Sequence, residues 1–73
     1  MFFKENLIFI MKKRKLSAPM LSNLSGVPKT TINSIKGINS KNPTLDTAYK
    51  LTFALGISLD DMVTKDLSKE NEY

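Results

Sequence analysis

Apolar residues recur along most of this chain at spacings of three and four rather than two, which predicts helices and no strands. Phe3, Leu7, Ile10, Met11 and the stem of Arg14 fall on one face at about 100° per residue, so a first helix is expected from Phe3 to Arg14 with that stripe inward. Ser17 is placed to cap a second helix with Pro19 in its first turn, Leu21 and Leu24 facing inward, and Gly26 ending it. Pro28 opens a third helix that Gly37 closes, and Ile32 and Ile35 mark its buried side. After a loop over 37–43, Thr44 caps a fourth helix with Leu45, Ala48, Leu51, Thr52 and Leu55 inward, and Gly56 ends it. Ser58 and Asp61 have the spacing of a capping box for a fifth helix, whose Leu59 and Met62 point back to the core. Beyond Lys65 the periodicity stops. Residues 1–65 are therefore expected to form the domain, and 66–73 a short polar tail that frays.

The 73 residues allow one core and no more. The longest apolar run, Leu7 to Met11, is far too short to span a bilayer, so no membrane association is expected. With no cysteine, and with lysines rather than a small-residue cleavage site after that run, the expected location is cytoplasmic.

Charge separates the chain into two parts. From Lys12 to Lys50 there are eight basic residues against the single acid Asp46, whereas beyond Lys50 five acids face two lysines. A basic surface of this kind suits a polyanion such as nucleic acid, although Lys12 to Lys15 also reads as a solvated helix end. Histidine and cysteine are absent, and the acids are scattered without metal-ligand or carboxylate-pair spacing. No catalytic residue, metal site or cofactor is expected, and the chain does not read as an enzyme.

On the third helix, Thr30 and Asn33 point most directly away from Ile32 and Ile35, flanked by Lys29, Ser34 and Lys36, while Thr31 turns partly inward. Lysine donates to guanine O6 and N7, asparagine pairs bidentately with adenine, and hydroxyls do either. The plain alternative is a solvated polar face on an amphipathic helix.

The order Leu16-Ser17, Leu21, Leu24-Ser25-Gly26-Val27-Pro28, Thr30-Thr31-Ile32, Ile35, Ser40-Lys41-Asn42-Pro43, Leu45, Leu51 and Ala54-Leu55-Gly56-Ile57-Ser58-Leu59-Asp60 resembles the helix-turn-helix domain of Cro and the phage repressors, the xenobiotic-response-element family. The resemblance runs from Leu16 to Met62 and implies an all-α, lambda-repressor-like compact five-helix domain that binds double-stranded DNA. By position it implies Lys29, Thr30, Asn33 and Ser34 as base readers in the major groove. Lys36 and Lys41 suit phosphates by their charge, and Ser40 and Asn42 either join them or are plain loop polarity. It further implies a transcriptional repressor that binds a palindromic operator as a homodimer. Three positions depart from the family pattern: Ala18 replaces a phosphate-contacting glutamine, Met11 replaces an often basic residue, and Ile38 stands where glycine is common, with Gly37 one residue earlier.

Two sets of residues are candidates for partner or dimer contact. Phe2 and Phe9 lie at about 200° and 180° around the first helix, away from the core stripe near 320°. The region around Ile57, Leu59 and Met62 is the one that related repressor domains use. An antitoxin-like or adaptor protein, docking a protein partner on the Phe2 and Phe9 face, is the alternative in another functional class.

Overall fold

In the computed structural model, which describes residues 2–38 and 42–70, local capping chemistry sets where the helices start and stop. They are α1 (Phe3–Lys13), α2 (Ala18–Ser25), α3 (Lys29–Lys36), α4 (Leu45–Leu55) and α5 (Leu59–Thr64), followed by a 3-10 turn at Leu67–Lys69. Among the described residues there is no strand.

The hydroxyls of Ser17, Thr44 and Ser58 accept from the backbone N–H groups of Met20, Thr47 and Asp61 at 3.3, 3.3 and 3.1 Å. Each satisfies one of the donors that a helix start leaves unpaired. Gly56 ends α4 with a left-handed φ of 70°, and the Ile57 N–H reaches back to the Thr52 carbonyl at 3.1 Å. Helix α1 ends the same way without a glycine. Lys15 takes φ 56° while its N–H and that of Leu16 donate to the carbonyls of Lys12 and Met11. Arg14 then closes the other side of this corner, its guanidinium donating to the Leu55 carbonyl at 2.7 Å, so one cation of the basic run ties α1 to the end of α4.

Phe3, Leu7, Ile10 and Met11 of α1 enter the core with Leu21, Ile32, Ile35, Ala48, Leu51, Leu55 and Met62, as the periodicity predicts. Around this core α2 packs on α3 and α4, α1 on α3 and α5, and α4 on α5. Two expected core residues are not there. Leu24 is 62% exposed because the inner stripe of α2 is Ala18, Leu21 and Ser25, which leaves position 24 about 90° to one side. Leu45 is 74% exposed: it occupies the first position of α4, where a side chain leans toward the N-terminus and past the packed layer.

The polar tail is also ordered further than its composition predicts. Leu67 is fully buried, and the turn around it packs on α1, so the chain does not fray at Asp66. The device that holds it is Asn6, itself buried in the apolar face of α1. Its Nδ2 donates to the carbonyls of Met62 and Lys65 at 2.8 and 2.6 Å, and its Oδ1 accepts the Leu67 N–H at 2.9 Å. A buried amide in an apolar stripe is costly unless both of its ends are paired, and here they are. The Ser68 hydroxyl donates to the Asp66 carboxylate, and with the Ser68 N–H and Lys69 it holds that carboxyl below its usual pKa against slight desolvation. Since the charged form is the one stabilised, this contact is strongest above the ordinary carboxylate range and is lost as pH falls through the lowered value.

Candidate nucleic-acid interface

Three neighbouring residues fix the direction in which α3 leaves α2. Gly26 adopts φ 77°, which an L side chain rarely tolerates, and so turns the chain sharply. Val27 then drops into the core. The Ser25 hydroxyl donates to the Leu21 carbonyl at 2.7 Å and accepts the Val27 N–H at 3.1 Å, which pins the turn to the helix before it. Pro28 starts α3 from an extended conformation (φ −56°, ψ 141°), and its carbonyl accepts the N–H groups of Thr31 and Ile32. The result is two eight-residue helices held at a fixed angle by packing rather than by a flexible loop.

With Ile32 and Ile35 buried, α3 turns Lys29, Thr30, Asn33 and Ser34 to solvent. The structure thus places all four expected base readers on the exposed side, with Thr31 and Lys36 half-buried at its margins. Thr30 and Ser34 also line an open groove between α3 and the start of α4, together with Asn42, Thr44 and Thr47. Of the expected phosphate contacts, Asn42 joins this groove and Lys36 stands in the last turn of α3, whereas Ser40 and Lys41 lie outside the described residues. Thr44 and Thr47 are additions that sequence reasoning missed. Their hydroxyls are 3.1 Å apart, Thr44 donating, as part of the α4 cap. The signal was the Pro43-Thr44 cap itself, which fixes where α4 begins, but only the fold brings that start beside α3.

The groove carries hydroxyls and an amide and no acid. Nearby on α4, the acid of the basic half, Asp46, is paired with Lys50 at 3.1 Å. An exposed pair of this kind adds little stability, but it offsets the charge that would oppose a polyanion.

The expected contact residues fare differently. Ile57 and Met62 are buried, so neither offers surface, and Leu59 is half-buried. The apolar surface in that region comes instead from α4. Tyr49 and Phe53 stand exposed with ring centroids 5.9 Å apart, beside a shallow groove that runs past Gly56 to Ser58 and Leu59. On α1, Phe9 packs against the core with the Lys13 ammonium 5.7 Å from its ring centroid, while Phe2 remains exposed. The expected bare face of Phe2 and Phe9 is therefore corrected to a single exposed phenylalanine.

The sequence model of the Cro/C1-type helix-turn-helix DNA-binding domain matches residues 6–67. The chain belongs to this family. The matched span begins at Asn6 and ends at Leu67, the two residues whose hydrogen bond closes the Cro/C1-type domain on itself. Neither a curated protein nor a solved structure matches the chain. Among the described residues, no helix is long and apolar enough to cross a membrane, and no cluster of acidic side chains is placed to hold a metal ion.

Proposed function

We propose that this Cro/C1-type domain is a sequence-specific transcriptional regulator, a repressor that binds a palindromic operator as a dimer with α3 in the major groove. The observation that carries the reading is the two-sidedness of α3. One side is anchored by Ile32 and Ile35, and the other presents Lys29, Thr30, Asn33 and Ser34, four residues with base-reading chemistry and no acid among them. Lys36 and the hydroxyl groove beside α4 supply backbone contacts that set register without reading sequence. Repression follows from occupancy, since a bound domain excludes other proteins from the same DNA.

The test begins with selection of bound duplexes from a random pool. On the selected site, Asn33→Ala is expected to weaken binding by about 1 to 3 kcal/mol and relax preference at one base pair. Lys36→Ala should instead weaken all sequences alike and lower the salt slope by about one. Equal loss on selected and random DNA for Asn33→Ala would remove Asn33 from the reading set.

Two half-sites on one face of the duplex require two copies of α3 about 34 Å apart. The domain measures 29 × 22 × 21 Å, so two copies side by side suit that spacing. The Tyr49 and Phe53 surface, with Leu59 beside it, is the apolar contact we assign to this pairing. Phe53 is 75% exposed, so Phe53→Ser should leave the melting temperature near that of the parent. In light scattering and gel-shift titration it should bind the palindrome one copy at a time while the parent binds as two. A parent that also loads singly would exclude the dimer. The adaptor alternative gains no support from α1, where Phe9 is packed against the core.

A further inference from the structure

The DNA-reading stripe of α3 runs past the end of the helix. At about 100° per residue, positions 30, 33, 34 and 37 lie within one arc of about 100°, directly opposite Ile32 and Ile35. Position 37 is a glycine, yet the fold does not require one there. Gly37 has φ −71° and ψ 167°, an extended conformation open to any residue. A Cβ added to it would sit 3.4 and 3.5 Å from the carbonyl oxygens of Ser34 and Asn33, within ordinary contact distance. Neither strain nor crowding explains the missing side chain. Its effect is to leave bare backbone on the face that meets DNA, as glycine does where a chain must approach a ligand closely.

The next residue presents the opposite feature. Ile38 is 95% exposed, more so than any other large apolar side chain among the described residues, and contributes nothing to the core. It follows directly on Gly37, which lies on the reading arc at the end of α3. The edge of the major groove carries one apolar group that such a side chain can meet, the C5-methyl of thymine. Four helical steps and one extended step separate Asn33 from Ile38, about 9 Å in all, or two to three base-pair steps of about 3.4 Å.

We propose that Gly37 and Ile38 form the apolar end of the reading surface: Gly37 lets the backbone approach the groove, and Ile38 packs on the methyl of a thymine two or three base pairs from the base read by Asn33. The proposal rests on α3 being the reading helix and adds a specificity contact beyond it.

The experiment uses the duplex selected by the parent protein, with each thymine in turn replaced by deoxyuridine, a change that removes the methyl and nothing else. Affinities are measured by fluorescence anisotropy at one salt concentration for the parent, Ile38→Ala and Gly37→Ala. One replacement should weaken the parent about fourfold, the value of a single buried methyl-sized group. Ile38→Ala should bind the unmodified site about fourfold more weakly than the parent and be indifferent to that same replacement. Gly37→Ala should melt no lower than the parent and still lose affinity. The proposal is overturned if Ile38→Ala keeps the parent's full deoxyuridine response, if the parent responds at no thymine, or if Gly37→Ala binds as the parent does. Failure of the parent to select any duplex is a separate result, one that removes the reading role of α3 and this contact with it.

Discussion

Replacing Asn6 with leucine, a residue of similar size, is expected to lower the stability of the domain by about 4 kcal/mol. The substitution keeps the volume and removes three hydrogen bonds at once: two to the carbonyls of Met62 and Lys65 and one from the Leu67 N–H. Each bond has a net value of about 1 kcal/mol, and a buried group left unpaired costs a further 1 to 3 kcal/mol. We take the lower end of that sum because Lys65 is exposed and water can reach its carbonyl in the variant. A domain of this length rarely has more than about 3 to 5 kcal/mol in hand, so most of the protein should be near its unfolding midpoint at 37 °C. Urea titration followed by circular dichroism measures this directly. An unchanged midpoint would mean that solvent replaces all three bonds.

Leu51→Ala is the second large effect. Leu51 is fully buried at the middle of α4, one turn from Ala48 on one side and Leu55 on the other. Its truncation leaves a cavity that a core of small helices cannot collapse around, and the expected loss is about 2 to 5 kcal/mol. Unlike Asn6→Leu, it leaves every hydrogen bond in place, so the two variants separate packing from polar pairing. A thermal melt matching the parent's would show that α4 presents a different face to the core.

The features that sequence revealed were those decided within a few residues. Ser17, Thr44 and Ser58 cap their helices because a cap concerns only the next three amides, and Gly26 and Gly56 end theirs for equally local reasons. The exposed side of α3 was legible because two isoleucines three apart leave no ambiguity about the buried side. Leu24 and Leu45 were misplaced because periodicity gives direction around a helix but not whether a neighbour covers that arc. Asn6 carried no signal, since an amide inside an apolar stripe is explained only by partners 56 to 61 residues away. The same holds for Thr47 beside α3, which depends on how α4 is brought in. Ile57 and Met62 entered as contact candidates only through the family resemblance, which points to a region and not to the exposure of each side chain in it, and both are buried here.

The closure of Asn6 on Leu67 also bears on the order in which the molecule assembles. The turn between α2 and α3 is stabilised by neighbours, whereas the Asn6 bond joins residues 61 apart, and closing a loop costs about 0.6 kcal/mol more with each doubling of its length. The helix-turn-helix is therefore expected to form first and the ring of α1, α5 and the final turn last. Contacts made after the rate-limiting step govern how quickly a protein comes apart rather than how quickly it forms. Amide hydrogen exchange provides the readout. The Leu67 N–H is expected to exchange through an opening distinct from that of Ile32 and Ile35, and Asn6→Leu should speed unfolding while leaving the refolding rate nearly untouched. A lifetime set by the ring, remote in sequence from α3, would then determine how long the DNA-reading surface persists.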